Sequence, residues 1–166
     1  MKTILSEKVG RILQGKRKLE KVLNVKITNR GKEVSISGTP ENEYTAEKVI
    51  DALNFGFPFS TALEIKEEEF LFEIINIKDH TKRSDLGRVR ARIIGTGGKT
   101  LSTLSTLTLC SFELKDNYIG IIGDPEHIEN AQNALISIIK GAKQTNVYSF
   151  LEKHQVKPVE DLGLKE

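Results

Sequence analysis

The spacing of hydrophobic residues along the 166-residue chain switches repeatedly between the period of a helix and the period of a strand. Leu101, Leu104 and Leu107 lie three positions apart, which predicts the buried face of a helix. Residues 33–37 alternate apolar and polar side chains, which predicts a strand. Together these patterns predict strands at 3–9, 25–28, 33–37, 70–77, 109–114 and 118–122, and helices around Leu19 and at 40–55, 99–107, 125–140 and 145–154. They also predict the start of another turn at 60–65, and a basic helix over 82–94 or at least over the C-terminal part of that range.

The chain also contains an internal repeat with an offset of 85 residues. Residues 34–41 (VSISGTPE) match residues 119–126 (IGIIGDPE), and the same offset without gaps places Gly10 opposite Gly95. A repeat of this length indicates two copies of one structural unit rather than a single large domain. We therefore expect a first unit at residues 1–67, a second at residues 68–144 and a helical tail at residues 145–166.

Each copy carries the same signals for the ends of its long helix. Pro40 and Pro125 suit the first turn of a helix, and Thr39 and Asp124 directly before them are good N-cap residues. Glycines at the other end predict C-terminal caps at Gly56 and Gly141.

A glycine-rich loop, Gly95-Thr96-Gly97-Gly98, separates the predicted helices at 82–94 and 99–107. The N-terminus of a helix presents unpaired backbone N–H groups and the positive end of the helix dipole, so it attracts anions and phosphate in particular. Glycines allow a ligand backbone to approach closely because they have no Cβ. The loop is therefore a candidate phosphate-binding site.

Four interpretations of the loop compete. The P-loop pattern requires a glycine where Ile93 stands, so it fails. The dinucleotide pattern finds Thr100 in place of its third glycine, although Glu113 and Asp116 lie at a suitable distance for a ribose contact. The pattern Ile-Ile-Gly-x-x-Gly is typical of a KH module, whose loop clamps a nucleic-acid backbone. A plain helix–helix turn with a basic flank is the remaining interpretation.

The net charge of +2 conceals an uneven distribution along the chain. Residues 2–32 hold ten basic and two acidic side chains, and residues 78–100 hold seven basic and two acidic. Residues 64–73 between them hold five glutamates and one lysine. Two basic segments indicate a polyanionic partner, although solvated helix faces also explain Lys16, Arg17 and Lys18.

Composition argues against several other classes of protein. The chain has no apolar run long enough to span a bilayer and no pattern of a signal peptide. The single cysteine, Cys110, excludes an intrachain disulfide, fits a reducing cytoplasm and suits a buried strand position better than a nucleophile. The histidines do not have the spacing of metal ligands, and we expect neither a metal nor a cofactor; they are His80, His127 and His154.

The order strand–helix–loop–helix–strand–strand–helix resembles the type I KH fold. Longer stretches extend the likeness: the chain is similar to archaeal two-KH proteins of the Krr family at residues 55–63 (FGFPFSTAL), 68–77 (EEFLFEIINI), 92–100 (RIIGTGGKT), 121–126 (IIGDPE) and 147–152 (VYSFLE). The resemblance implies an α+β fold of two tandem type I KH domains, each a three-stranded antiparallel sheet covered by helices on one face. It also implies a ribosome-assembly factor that binds single-stranded rRNA without catalysis.

The family further implies a place near the 3′ end of small-subunit rRNA and an endonuclease partner of the Nob type. Carried over to matching positions, the loop Gly95–Gly98 would clamp the RNA backbone. Arginines before the loop would line the groove, and residues after it would reach phosphates or form an apolar floor. The implied RNA-binding residues are Arg88, Arg90, Arg92, Ile94, Gly95, Thr96, Gly97, Gly98, Lys99, Thr100 and Leu101.

The first unit departs from the family pattern at the clamp. Aligned without gaps, residues 10–13 (GRIL) lie opposite the loop, whereas a shorter helix places residues 14–17 (QGKR) there, and neither stretch has the second glycine. Secondary phosphate contacts are expected from Lys16, Arg17 and Lys18.

Two other functions remain as alternatives at this point: a nucleotide-binding enzyme using the same loop, and a KH module of another RNA-processing complex. Against an enzyme, the sequence shows no paired acid and base and no nucleophile beside a base.

Overall fold

The computed structural model describes residues 1–155, and these form two halves with the same order of elements. The last part of the predicted tail, residues 156–166, lies outside the described residues. The first half consists of β1 (Lys2–Leu5), α1 (Val9–Gln14), α2 (Lys16–Leu23), β2 (Lys26–Arg30), β3 (Glu33–Ser37), α3 (Pro40–Phe55) and α4 (Phe59–Glu67). The second half consists of β4 (Leu71–Asn76), α5 (Leu86–Ile94), α6 (Lys99–Thr108), β5 (Ser111–Lys115), β6 (Tyr118–Gly123), α7 (Pro125–Ile139) and α8 (Gln144–Lys153).

Each half contains one three-stranded antiparallel sheet of the same topology. The strand orders are β1-β3-β2 and β4-β6-β5, so the last strand of each half lies in the middle. Equivalent pairs align across the two sheets, since Ile4 pairs with Val34 and Ile75 pairs with Ile119. The α+β class and the antiparallel three-stranded sheets are therefore confirmed.

The long helices begin where the sequence predicts. The Thr39 hydroxyl accepts a hydrogen bond from the backbone N–H of Asn42 at 3.2 Å, and Asp124 accepts one from that of Glu126 at 2.8 Å. These caps satisfy N–H groups that have no partner inside the helix. At the other end Gly56 is the C-cap of α3, and Gly141, with φ +105°, follows the C-cap of α7.

Some elements are shorter than their predicted ranges, and local contacts account for the difference. The strand predicted at 3–9 ends at Leu5, because the Ser6 hydroxyl accepts from the backbone N–H of Lys8 and turns the chain. Of the range 82–94 only the C-terminal part from Leu86 is helical, which confirms the shorter form of that prediction; Arg83 and Asp85 just before it form an ion pair at 3.0 Å. The strand predicted from 109 begins at Ser111, because Leu109 ends α6 with φ +57°.

The gapless form of the repeat is also wrong, and two arginines show why. Arg11 donates to the carbonyl oxygens of Leu53 and Phe57. Arg92 donates to those of Ile138 and Ala142, at 2.7 Å and 2.5 Å. The acceptors are 85 positions apart, but the arginines are only 81 apart. The second half therefore has four more residues than the first between its arginine, Arg92, and the carbonyl groups that accept from it. Gly10 is consequently not the counterpart of Gly95 in the repeat.

The repeat continues into α8. Adding the offset of 85 to α4 (Phe59–Glu67) gives residues 144–152, and α8 begins at Gln144. Val147 and Leu151 of α8 are buried in the core of the second half, together with Leu104 and Leu135. The described part of the predicted tail thus packs as an element of the second half.

The two halves share part of their cores. Ile121 of β6 faces the helices of the second half, whereas Ile122 belongs to the core of the first half. Gly120 brings the halves together, because a Cβ there would lie 2.8 Å from the ring of Phe57 and 2.9 Å from that of Phe55. The outer face of the second sheet is therefore a packing surface for the first half.

Candidate nucleic-acid interface

The loop Gly95–Gly98 joins the end of α5 directly to the start of α6. Gly95, Gly97 and Gly98 have φ values of +77°, +62° and +78°, a region that residues with a Cβ rarely adopt. A Cβ on Gly95 would lie 2.2 Å from the Thr100 hydroxyl and 2.6 Å from its backbone nitrogen, so this glycine is required for the loop to close. Gly97 and Gly98 instead have open space where a Cβ would stand, which leaves their backbone accessible.

The N-terminus of α6 is open to an anion. Gly98 occupies the N-cap position without a side-chain cap, and the first turn contains no acidic residue. The dipole and the unpaired N–H groups of this turn favour negative charge. Because the loop connects two helices, whereas P-loops and dinucleotide loops connect a strand to a helix, both nucleotide interpretations are wrong.

The three arginines of α5 have different environments. Arg88 is exposed on the surface. Arg90 is half-buried and donates to the Asn117 side chain in the turn between β5 and β6. Arg92 holds the C-terminal end of α7 through its two bonds to carbonyl oxygens. Of the three, only Arg88 makes no such internal side-chain bond among the described residues, and the groove-lining role of these arginines stays a prediction.

The residues in and beside the loop differ in how exposed they are. Thr96 and Lys99 are exposed, as residues that contact a phosphate must be. Thr100 is only 7% exposed and its hydroxyl faces Gly95, and its contact with a phosphate stays a prediction. Ile94 is 37% exposed, and Leu101 is half-buried against the core of the second half.

An open cleft lies beside the loop, and the sequence predicted only part of its lining. Its residues come from α6 and the loop residue before it, from β5, and from the first turn of α4 and the connection leading into it. They are Phe57, Pro58, Thr61, Gly98, Leu101, Ser102, Ser105, Ser111, Phe112 and Glu113. The helical spacing of Gly98, Leu101, Ser102 and Ser105 was a signal for the α6 wall, whereas no local pattern marks the contribution of the first half.

Glu113 is the charged residue of this cleft. Its position in β5 opposite Gly120 places its side chain on the face of the sheet that meets the first half. Burial raises the pKa of the Glu113 carboxyl, and the positive charges of Lys8 and Arg11 oppose that rise.

The corresponding helix junction of the first half is closed. Gly15 alone separates α1 from α2, so no loop is present there. A Cβ on Gly15 would lie 2.3 Å from the ring of Phe59, and the Arg11 guanidinium stacks 5.4 Å from the centre of the same ring. Arg17 and Lys18 are exposed and Lys16 is half-buried, so their predicted secondary phosphate contacts are sterically available.

The described part of the chain has neither a candidate metal site nor a helix that could span a membrane. Residues 1–155 contain no cluster of histidine, cysteine, aspartate or glutamate side chains that could hold a metal ion. None of the helices described is long and apolar enough to cross a membrane. Cys110 is buried just before β5, and burial raises the pKa of its thiol to about 11, which keeps it protonated and poorly nucleophilic.

The chain has relatives among known proteins. A KH domain-containing protein of Methanocaldococcus jannaschii is 28% identical over 156 residues, which cover 90% of this chain and 69% of that protein. The RNA-binding protein pno1 of Drosophila pseudoobscura is 30% identical over 137 residues, 78% of this chain and 58% of that protein. The pre-rRNA-processing protein pno1 of Emericella nidulans is 29% identical over 111 residues, 64% of this chain and 43% of that protein. The chain thus matches less than two thirds of the length of both Pno1 proteins.

Solved structures match the whole architecture, and a family model matches the second half. The crystal structure of Dim2p from Pyrococcus horikoshii has a TM-score of 0.83 and 28% identity, covering 92% of this chain and 98% of that one. A chain of the a/eIF2alpha–aDim2p–rRNA complex from the same organism has a TM-score of 0.81 and 29% identity, covering 92% of both chains. Residues 71–156 match the model of the eukaryotic-type KH domain, KH-domain type I. The chain therefore belongs to the type I KH-domain family.

Proposed function

We propose that this protein binds single-stranded rRNA and acts, without catalysis, in small ribosomal subunit assembly and in maturation of the 3′ end of its rRNA. One observation carries the proposal: the exposed Gly95–Gly98 loop opens onto the uncapped N-terminus of α6 in a KH domain. KH domains use such a loop to clamp the backbone of single-stranded nucleic acid. The names of the Pno1 relatives and the rRNA in the Dim2p complex support the choice of rRNA.

The RNA-binding residues of this proposal are those that the structure leaves accessible. The backbone would lie over Gly97 and Gly98, with Thr96, Lys99 and Arg88 beside the phosphates. Ile94 would offer an apolar surface at the edge of the loop. Arg90, Arg92 and Thr100 would support the loop and its helices from inside rather than touch the RNA.

We also propose that both halves are KH domains in tandem. Their common strand order and the equivalent arginine contacts support this assignment for the first half, although its clamp is missing. The first domain would span residues 1–67. The second, predicted as 68–144, would also include α8, because α8 contributes to its core.

The narrower identity as a Krr-type factor and the partnership with a Nob-type endonuclease stay part of the proposal. The resemblance of residues 92–100 and 121–126 to that family supports them. Co-purification of the full-length protein with a Nob-type endonuclease would test the partnership.

The central claim can be tested by fluorescence titration. We expect tight binding to a labelled single-stranded oligonucleotide from the 3′ end of small-subunit rRNA, and weak binding to the same sequence in a duplex or to mononucleotides. Ultraviolet cross-linking followed by mass spectrometry should find RNA attached within residues 94–101. Equal affinity for the single strand and for mononucleotides would contradict the proposal.

A further inference from the structure

The connection between α7 and α8 carries a basic surface beside the clamp loop. Lys140 is the C-cap of α7, Lys143 is the N-cap of α8, and both side chains are exposed. Neither lysine forms an ion pair with an acidic side chain within residues 1–155. Their charges are therefore available to a partner from outside the described fold.

Hydrogen bonds hold this connection close to the clamp. The Gln144 side chain donates to the carbonyl oxygen of Arg92 at 3.3 Å, and the Arg92 guanidinium donates to that of Ala142 at 2.5 Å. Arg92 lies three positions before Gly95, which is less than one turn of helix. The segment between and beside the two lysines is thus tied to the last turn of α5, directly next to the loop.

Acidic side chains are missing from the elements around this surface. Residues 86–112, which include α5, the clamp loop and α6, contain no aspartate or glutamate, and neither do residues 130–151. In the first half, by contrast, the corresponding residues 45–66 contain three acidic side chains. A surface whose charges have one sign raises the local concentration of a polyanion. The basic residues of the two acid-free ranges are Arg88, Arg90, Arg92, Lys99, Lys140 and Lys143.

The first half has a different surface at the equivalent connection. At the 85-residue offset, residues 55–59 (FGFPF) correspond to residues 140–144 (KGAKQ). The rings of Phe55 and Phe57 lie against Gly120 of the second sheet, so this connection is an internal packing surface in the first half. In the second half the aromatic residues are replaced by lysine, alanine and glutamine, and the same connection faces solvent as a basic surface.

A strand held by the loop would continue past this surface. The loop of a KH module clamps the backbone of four nucleotides. Phosphates of a clamped strand lie against the loop, and the α7–α8 connection adjoins the helix that leads into it. Lysine is suited to such contacts because its flexible stem carries a point charge that binds phosphate without a fixed geometry.

We propose that Lys140 and Lys143 contact phosphates of the bound RNA outside the four clamped nucleotides, so that the second half holds a longer segment than its loop alone. The inference rests on the proposed RNA-binding function. These contacts would add affinity without sequence information. RNA is favoured over an acidic protein as the partner, because the surface adjoins the clamp and has the same sign of charge.

The test compares two labelled single-stranded oligonucleotides from the 3′ end of small-subunit rRNA, one of about four nucleotides and one of about twelve that contains the shorter sequence. For the longer RNA, Lys140→Gln with Lys143→Gln should lower the affinity about fivefold or more at ~50 mM salt. The slope of log affinity against log salt concentration should decrease by roughly 1.4, since each phosphate contact of a single strand contributes about 0.7. Affinity for the shorter RNA should not change, because that RNA ends before the lysines.

Matched measurements separate position from general charge. Lys66→Gln with Lys153→Gln removes the same charge elsewhere and should bind both RNAs as the wild type does. Lys153 lies in the last turn of α8, about 15 Å along the helix from Lys143, so it tests the opposite end of the same element. Extending the short RNA on its 5′ or its 3′ side alone should raise wild-type affinity on at least one side, and the Lys140 and Lys143 variant should lose that gain. Circular dichroism checks that both variants are folded.

The outcomes distinguish this inference from the function on which it rests. A wild-type protein that binds neither RNA would overturn both. Equal losses of affinity for the short and the long RNA would place the lysines within the clamp and overturn the longer footprint. Unchanged affinity and salt slope for the long RNA in the folded lysine variant would overturn this inference alone and leave the surface to an acidic protein.

Discussion

The two halves of the molecule differ most at the junction between their first two helices. In the first half α1 passes into α2 at Gly15, and in the second half Gly95–Gly98 separates α5 from α6. Around these junctions the halves agree, since Arg11 and Arg92 make the same pair of carbonyl contacts. The proposed RNA clamp thus corresponds to a four-residue difference within a common scaffold.

The residues that begin α4 and α8, Phe59 and Gln144, add to this difference. At the 85-residue offset Phe59 corresponds to Gln144. The ring of Phe59 covers Gly15, whereas the Gln144 side chain donates to the carbonyl oxygen of Arg92 at 3.3 Å, further back on α5. One position therefore closes the first junction with an aromatic ring and leaves the second open.

The largest effect should come from charge placed in the open junction. Replacing Thr96 and Gly97 together by aspartate puts two negative charges where a phosphate would lie. At ~4 Å each charge pair costs roughly 1 kcal/mol in water and about 4 kcal/mol at a partly shielded surface. We expect RNA affinity to fall well beyond tenfold, since ~1.4 kcal/mol already corresponds to a factor of ten.

The fold of this double variant should survive, because both positions are exposed and a Cβ on Gly97 meets nothing within 4 Å. The φ of +62° at Gly97 strains a side chain, but aspartate is one of the residues that tolerate this region. A control variant of the first half, Gln14→Asp with Asn24→Asp, adds the same charge at exposed sites at the ends of α1 and α2 and should bind RNA nearly as well as the wild type. Circular dichroism checks the folding of both. Equal losses in the two variants would show that general charge, not the loop, governs binding.

The second prediction concerns the glycine at each junction. Gly15→Ala should cost about 1–3 kcal/mol of unfolding free energy, because its Cβ collides with the Phe59 ring. Gly95→Ala should cost about 2 kcal/mol or more, because it combines a positive φ with a collision against backbone. Urea denaturation measures both values.

A second substitution in each variant distinguishes a collision with a side chain from a collision with the backbone. Phe59→Leu shortens the colliding side chain and should recover part of the stability lost in Gly15→Ala. Thr100→Ala should not rescue Gly95→Ala, because the backbone nitrogen of residue 100 remains 2.6 Å from the added Cβ. Full rescue in the second case would mean that the loop can relax around a side chain.

The third prediction concerns the basic surface near the closed junction. Replacing Lys16 and Arg17 by glutamine should weaken RNA binding modestly and equally for all sequences, because lost phosphate contacts carry no sequence information.

The dependence of binding on salt measures these contacts. Wild-type affinity should fall steeply between ~50 and ~200 mM salt, and the slope of log affinity against log salt concentration should decrease by about one unit for each phosphate contact removed. Lys66→Gln with Lys153→Gln is the charge-matched control. Loss of sequence preference in the Lys16 and Arg17 variant would reverse the roles assigned to the halves.

The smallest effect should come from Asp51 of α3, which corresponds to Ile136 of α7. Burial, followed by the charge of Glu47, raises the pKa of Asp51, and Lys48 opposes the rise. The folded state therefore holds this proton more tightly than the unfolded chain does. The contribution of the protonated carboxyl to the free energy of unfolding is complete below the ordinary pKa of ~3.9 and is lost as pH rises through the raised pKa. Asp51→Asn should show a slightly higher melting temperature at about pH 7 and no gain near pH 3. A lower melting temperature at neutral pH would contradict this sign.

The sequence predicted the features that depend on neighbouring residues. Helix α3 has the predicted bounds, because Thr39, Pro40 and Gly56 mark its ends through local hydrogen bonds and backbone geometry. The loop Gly95–Gly98 and its place before α6 were predicted for the same reason.

Features that depend on distant contacts could not be predicted in this way. The bonds of Arg92 to carbonyl oxygens at the end of α7 arise only in the folded chain, so the sequence does not show them. The sequence likewise does not show that the Thr100 hydroxyl packs against Gly95. The wall that Pro58 and Thr61 add to the cleft depends on the packing of the halves, which the repeat does not specify.

The contact of Gly120 with Phe55 and Phe57 has a consequence for synthesis on the ribosome. Ile122 and Phe72 complete the hydrophobic core around these rings, yet both lie in the second half of the chain. A nascent first half must therefore wait, with its aromatic surface uncovered, until β6 has left the exit tunnel. Expressed alone, residues 1–67 would keep that surface exposed and aggregate, so the two halves form one unit of biosynthesis.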